Sequence, residues 1–478
     1  MALNLSGTSG IVGAGIGTIG PSGANVTGVV TCTSVVSSGA VSGTTGSFTG
    51  NLTISNVEPT LNLTDSNNNS DFAVRNNDGT FGIRDTTNGV ERFTISSDGT
   101  VATGGNINIS GVTTAKSFVP TEGQLSNRNL IINGAMRVAQ RATSSTTSGT
   151  YTADRFIHLF SGTNESPTTE VRALTSSDTG PWAKGFRKSL KVTNGNQTGG
   201  ADVSDYIRLD YRLEGQDISQ SGWDYTSSSS YVTLSFWAKS SVAQTFYVRL
   251  KAQDGTAQGY AFAITFTATN TWTKFTHSIP GASAVQFDDD NGEGLRICWT
   301  LFRGTSNTGT FTLNQWAAYN GSIRMPDNTS TWYTTNDATF ELTGVQLEAG
   351  SVATPFEHRT YADELRKCQR YYQVIGGGNY GNYGFASGYT YNNGNNIAAG
   401  VYLSVPLRAS PTVSVTGNLG GTTQGAAGLV NSPSVPGYDL NSNWLAIGWG
   451  ITSDLGANNY GASVNNTNNE SFTMSAEL

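Results

Sequence analysis

The densest run of acids in this 478-residue chain is Asp288-Asp289-Asp290-Asn291-Gly292-Glu293. Carboxylates on a turn are hard oxygen donors, so Asp288, Asp290 and Glu293 could take up Ca²⁺. The glycine does not stand where an EF-hand loop needs it, and a solvated acidic loop is the competing reading. Asp254, Asp288 and Glu293 are also the acids on apparent loops that could serve glycoside hydrolysis. That chemistry needs two carboxylates at a fixed separation, one of them with a raised pKa. No spacing singles out such a pair. The three histidines, His158, His277 and His358, lie in or beside apparent strands. No GxSxG, HExxH or phosphate-loop pattern accompanies them, so they read as structural and no catalysis is expected. Aromatic residues offer different chemistry. Sugar recognition needs ring faces to stack on and short polar side chains to bond hydroxyls. The stretch Tyr380 to Asn395 supplies both, with Tyr380, Tyr383, Tyr389 and Tyr391 set among glycines and asparagines. The competing reading is a Gly-rich hairpin whose tyrosines pack between subunits. Trp223 and Trp332, beside Tyr225 and Tyr333 in turn-like contexts, are further ring candidates.

Composition narrows the class. Charged residues make up 13% of the chain, half the usual ~25%, while aromatics reach 10% and glycines number 58. Low charge with plentiful aromatics and turn residues describes an ordered all-β protein rather than a disordered one. A net charge of −7 argues against a nucleic-acid partner, which needs a basic face. Cys32, Cys298 and Cys368 are distant from one another and odd in number, which points to neither a zinc site nor a disulfide framework. The opening residues lack a basic n-region and no apolar run nears ~18 residues, so neither secretion nor membrane insertion is expected.

The elements that would position these residues follow from patterning. Residues 1–57 hold no charge and are rich in Gly, Thr, Ser and Val. Alone they bury too little to offset their ordering entropy, leaving a flexible tail or a rod of several wound chains. Residues 58–118 alternate in short stretches (Phe72 to Arg75, Phe81 to Arg84, Arg92 to Ile95) joined by Asn77-Asp78-Gly79, Thr87-Asn88-Gly89 and Ser97-Asp98-Gly99 turns, a β-meander. Residues 119–358 carry seven of the nine tryptophans and clear period-two runs at Val232 to Ala238, Phe246 to Leu250 and Phe262 to Ala268. They read as an antiparallel sandwich with long loops. Residues 359–375 contain one convincing helix, capped by Thr360 with Asp363 three residues on. Tyr361, Leu365, Cys368 and Tyr372 are expected on its apolar face, set against its own sandwich or at a seam between subunits. Residues 376–478 read as a small β tip, with strands at Val401 to Leu407 and at Phe472 to the chain end.

Asn129 to Arg141 reads NLIINGAMRVAQR, followed by Tyr151-Thr152-Ala153-Asp154-Arg155-Phe156. Far downstream stand Gly344-Val345-Gln346-Leu347-Glu348-Ala349-Gly350 and Thr354-Pro355-Phe356-Glu357. This set resembles the opening and closing motifs of a module in tail fibres of tailed bacteriophages, notably marine and cyanobacterial ones. The resemblance covers roughly residues 125–372 and implies a carbohydrate-binding-type jelly roll. It further implies an elongated homotrimeric fibre: an intertwined β shaft, the jelly roll, a connecting helix and a tip. The expected function is a virion adhesin. It would dock to the phage tail or an adaptor protein by its N-terminal segment and bind host polysaccharide or an outer-membrane protein with its C-terminal domains. A tailspike-type glycan depolymerase and a purely structural virion fibre are the alternatives.

Overall fold

Strands dominate because the chain alternates apolar and polar residues between Gly, Asn and Asp turns. The computed structural model describes residues 51–67, 70–105, 107, 126–376, 384–391, 396–416, 420–423, 437–441, 444–450, 461–465 and 471–478. The expectations for residues 1–50 lie outside these. The chain divides into two compact units, Met1–Lys116 and Ser117–Leu478.

In the first unit, β1 (Thr60–Leu63), β2 (Phe72–Asn77), β3 (Thr80–Asp85), β4 (Val90–Ile95) and β5 (Val101–Thr103) form one sheet in chain order. Asp78 and Gly79 both take positive φ, 47° and 78°, as a two-residue type I′ hairpin turn requires. The register makes this sheet two-faced. Leu61 pairs with Val74, Val74 with Ile83 and Ile83 with Phe93, while Phe81 pairs with Ile95 and Ile95 with Val101. Leu63 and Phe72 pair likewise. Residues directly opposite share a face, so one face is nearly all apolar. The other carries Arg75 and Arg84, both ion-paired to Glu91. No second layer covers the apolar face among the described residues of this unit, and Leu63, Phe81 and Val101 remain 53%, 42% and 56% exposed.

The second unit begins with a sandwich of twelve strands: β6 (Ser144–Ser145), β7 (Phe156–Ser161), β8 (Thr168–Ala173), β9 (Lys188–Thr193), β10 (Tyr206–Glu214), β11 (Tyr231–Ser240), β12 (Thr245–Ala252), β13 (Gln258–Thr265), β14 (Thr273–Pro280), β15 (Glu293–Arg303), β16 (Ala317–Ala318) and β17 (Thr339–Ala349). They form two six-stranded sheets. Sheet I runs β16-β13-β12-β15-β10-β7 and sheet II runs β14-β11-β17-β9-β8-β6. Their pairings are antiparallel, and the whole is an all-β jelly roll. Phe246, Val248, Ile297, Trp299, Leu209 and Tyr211 of sheet I meet Val232, Leu234, Phe236, Leu342 and Leu347 of sheet II in one buried core. Trp299 anchors it, edge-on to Phe236 at 5.7 Å. Burying one such ring contributes roughly 1.5–3 kcal/mol.

The two sequence motifs, more than 200 residues apart, close this sandwich on each other. Leu130 N–H donates to Leu347 O at 2.9 Å and Val345 N–H to Gly134 O at 2.9 Å. The Asn129 amide bonds Val345 O at 3.2 Å and accepts Leu347 N–H at 3.1 Å. Glu357 accepts Asn129 N–H at 3.1 Å. Any side chain at position 134 would put its Cβ 2.0 Å from Val345 O, which is why glycine stands there.

The connecting helix, Tyr361–Gln369, is capped by the Thr360 side chain as expected. Of the face expected to be buried, Cys368 and Tyr372 are buried and Leu365 is half-buried, and Tyr361 departs from it. Glu364 and Cys368 are buried with Tyr371, while Tyr361 is half exposed. The reason is polar: Glu364 accepts Asn133 N–H at 2.6 Å, which turns the helix to present a carboxylate to its own sandwich. Beyond it lie β18 (Tyr372–Gly376), β19 (Gly384–Tyr391), β20 (Asn396–Tyr402), β21 (Thr412–Thr416), β22 (Gly420–Thr423), β23 (Gly437–Asn441), β24 (Trp444–Gly450), β25 (Gly461–Asn465) and β26 (Ser471–Ser475). The strand expected at Val401 to Leu407 stops at Tyr402, short of Pro406, which has no N–H to offer a ladder. The last strand does not end at a free tip. β26 pairs with β18, and the following Glu477 reaches Arg155 and, at 2.9 Å, Arg141 of the sandwich.

Candidate functional site

β11 alternates core and surface residues, so Val232, Leu234, Phe236 and Ala238 point inward and Trp237 comes out on the opposite face. Its indole forms one wall of a 340 Å³ pocket on the outer side of sheet II. Phe186, Phe356 and His358 supply further rings, and Lys184, Lys274, Ser235 and Thr354 supply polar groups. Binding pockets for small ligands run ~300–1,000 Å³ and combine aromatic walls with a few polar groups. Phe186 meets Phe356 edge-on at 4.8 Å and His358 at 5.1 Å. His358 Nε2 bonds Lys184 O at 2.8 Å, tying the two loops that flank the pocket. Gly344 of the second motif makes the cluster possible. It has φ 63°, and a Cβ there would lie 2.7 Å from the Phe186 ring.

Two more partly buried tryptophans, Trp182 and Trp272, extend the aromatic patch. Arg187 lies over Trp182 at 3.8 Å. Trp272 donates its indole N–H to Asp178 at 3.0 Å. Burial pushes the Asp178 carboxyl up, but hydrogen bonds from Arg172, Trp272 and the Thr175 N–H outweigh this and hold it well below the usual carboxylate range. A fixed anion thus holds Trp272 in place.

The residues expected from sequence fall elsewhere. Trp332 is fully buried, its indole N–H bonded to Thr339 O at 3.0 Å, and Trp223 is 3% exposed against Phe287. Both turn-like contexts fold inward, so neither ring offers a stacking face. Tyr380 and Tyr383 lie outside the described residues. Tyr389 and Tyr391 fall on β19, paired with Ala398 and Asn396 of β20. His158 and His277 are held to about 4 by burial, His277 stacked on Phe262 at 3.9 Å.

The acidic run is drawn into protein contacts. Asp290 accepts Gly292 N–H at 2.8 Å, and Glu293 takes two bonds from Arg296 at 2.7 and 2.8 Å. Burial raises the Glu293 carboxyl, but Arg296, Gln253 and Arg212 together outweigh this and lower it. Asp254 accepts Asp288 N–H at 3.0 Å and is raised by burial and by the surrounding acids. Among the described residues no three acid, histidine or cysteine side chains are grouped to hold a metal ion.

The aromatic pocket was missed in the sequence, although a signal was present. A tryptophan at an outward position of a strongly alternating strand marks either a covered edge or a surface site. Its partners come from loops at 182–186 and 353–358, whose proximity no local pattern encodes.

No protein-family model and no curated protein sequence matches the chain. Among solved structures it is similar to the enzymatically active domain of bacteriophage CBA120 tailspike protein 4, at 10% identity and TM-score 0.25, covering 46% of this chain and 21% of that one. A CBM4 structure matches at 12% identity and TM-score 0.23, covering 46% of this chain and 98% of the module. TmCBM61 in complex with β-1,4-galactotriose matches at 9% identity and TM-score 0.23, covering 47% and 100%.

Proposed function

We propose that the chain is a bacteriophage tail-fibre adhesin that binds host surface polysaccharide through the Trp237 pocket. The pocket carries the reading: three rings around Trp237, two ammonium groups and two hydroxyls converge on one cavity, which is the chemistry a sugar ring needs. The phage assignment rests on the paired motifs at 129–141 and 344–357. Assembly as a homotrimer is supported by the first unit, where an apolar sheet face that no second layer covers among the described residues calls for copies of itself. Three sheets turned inward would form a closed prism and leave the Arg75–Glu91 face to water. Attachment to the tail through the N-terminal segment and location in the virion complete this reading. Trimerisation has a functional consequence, because a millimolar contact is worth only about −4 kcal/mol, and linking several gains about 10²–10⁴ in avidity. Purified full-length protein should block phage adsorption to host cells, and Trp237→Ala should remove the block while leaving thermal unfolding in place. Undiminished competition by the variant would overturn the pocket assignment.

A second reading, a glycan depolymerase, has one observation in its favour: Asp254 is raised and Glu293 lowered. Acid–base pairs in hydrolases are pushed apart in this way. Incubation with host polysaccharide should release no reducing ends if the adhesin reading holds. Release that Asp254→Asn abolishes would establish the enzyme.

A further inference from the structure

The outer face of sheet I is far more basic than a chain of net charge −7 would lead one to expect. Register places Arg208, Asp210 and Arg212 of β10 beside Thr300, Cys298 and Arg296 of β15, and these beside Tyr247, Arg249 and Lys251 of β12. Arg303, at the end of β15, pairs with Tyr206 on the same face. Among the described residues two side-chain carboxylates serve this group, and incompletely, with the Leu478 oxygen also accepting from Arg212. Asp210 is 3.5 Å from Arg208, and Glu293 is shared by Arg212 and Arg296. Among the described residues Arg249 and Arg303 have no carboxylate within ion-pair distance, although the Asp210 charge across β15 favours the Arg249 cation, and they are only 6% and 4% exposed.

Burying a guanidinium without a counter-ion is costly. Arg249 finds only neutral acceptors, Thr300 Oγ1 at 3.2 Å and Cys298 Sγ at 3.0 Å. Arg303 donates to Asn307 at 3.0 Å, and its Nε, like that of Arg208, has no hydrogen-bond partner among the described residues. Arg249, Arg208 and Arg324 all repel Arg303. With burial as the larger cause, this brings its guanidinium down to about 10.

Arg303 also lines a 210 Å³ pocket with Thr305, Thr308, Asn328 and Ser330, and with Asp202 as the one acid. Both amide atoms of Asn328 are enclosed and without partners among the described residues. At ~30 Å³ per water the space holds about seven water-sized groups, the scale of one sugar ring. A ligand that satisfies this pocket carries an oxyanion for the Arg303 guanidinium and hydroxyls for the amide and threonines.

We propose that this second site, on the opposite sheet from the Trp237 pocket, binds an acidic sugar residue of the host glycan. Arg303, flanked by Arg208, grips its carboxylate or phosphate, and Asn328 reads its hydroxyls. The inference takes glycan binding from the adhesin reading but stands on separate residues. The test is calorimetric titration of the full-length protein with trigalacturonate, galactose 6-phosphate and neutral galactotriose. One or both anionic probes should bind more tightly than galactotriose, and which of the two binds names the anion. Arg303→Gln and Asn328→Asp should each weaken that binding about tenfold to a hundredfold, as expected for a lost charge-assisted hydrogen bond. Trp237→Ala should leave it intact. Raising salt should weaken acidic-probe binding to the unmodified protein, so the proposal stays testable if a variant fails to fold. Acidic-probe binding that ignores both variants and salt overturns the site. Absence of acidic-probe binding overturns it too, while galactotriose binding that depends on Trp237 would leave the adhesin reading standing.

Discussion

Asn133 is the residue on which the closure of the sandwich can be tested most directly. It is fully buried with φ 61°. Its Oδ1 accepts Val138 N–H at 2.9 Å, and its Nδ2 donates to Val138 O at 2.8 Å and Asp154 O at 3.0 Å. Asn133→Ala removes all three bonds. Val138 O keeps the Asp154 N–H at 3.0 Å, so the main losses are the Val138 N–H and the Asp154 O; stranding the N–H alone costs about 1–3 kcal/mol. The left-handed backbone adds roughly 1–2 kcal/mol for alanine. The sum is about 2–5 kcal/mol, or roughly 4–20 °C in Tm for a domain of this size. Asn133→Gly loses the same bonds without the backbone strain and should lie about 1 kcal/mol closer to the unmodified protein, after glycine's own entropy cost of ~0.5–1 kcal/mol. Urea unfolding followed by tryptophan fluorescence is the assay, because seven of nine tryptophans lie in residues 119–358. An alanine variant within about 1 kcal/mol of the unmodified protein would refute the view that this motif is a structural clamp.

Three other outcomes follow from particular residues. His158 is buried, neither ring nitrogen has a partner among the described residues, and it is lowered by burial to about 4, below its unfolded ~6.5. Protonation therefore favours the unfolded chain. Stability is whole above pH ~6.5 and should fall, by up to about 3 kcal/mol, as pH drops toward 4; His158→Phe should flatten that part of the unfolding profile, and an unchanged slope would remove His158 as its source. Glu477→Ala leaves the buried Arg155 guanidinium without its carboxylate, a loss of about 3–5 kcal/mol for a broken buried pair. Limited proteolysis should then cut between the helix and the tip, and a cleavage pattern like that of the unmodified protein would count against C-terminal anchoring. Phe81→Glu sets a charge on the apolar face of the first unit and should lower the mass measured by light scattering below that of a trimer, whereas an unmodified protein of monomeric mass would dispose of the trimer itself.

Sequence and structure parted company where polar contacts or distant loops intervened. The strands of the sandwich core were visible because their inward residues alternate without interruption, as in Val232 to Ala238. The helix was placed correctly by Thr360 and Asp363, and Cys368 and Tyr372 are buried as expected, but Tyr361 is half exposed and Glu364 is buried in its stead. Hydrophobic periodicity could not anticipate that Glu364 would turn inward to meet Asn133 N–H. Trp223 and Trp332 were read as surface rings from their turn-like neighbours, but turns fold inward when the core offers an acceptor such as Thr339 O. Arg208, Arg249 and Arg303 were passed over because each is an ordinary outward residue on its own strand. Only the register of β10, β12 and β15 gathers them.

The sequence alone determined the all-β class, the strands of the sandwich core and the helix cap, because these depend on local backbone preference and on period-two burial. Tertiary structure alone decided which rings reach a surface, which charges lack partners, and that the C-terminal strand returns to the sandwich rather than ending at a tip. Those outcomes arise from contacts between residues tens to hundreds of positions apart, which no local pattern records.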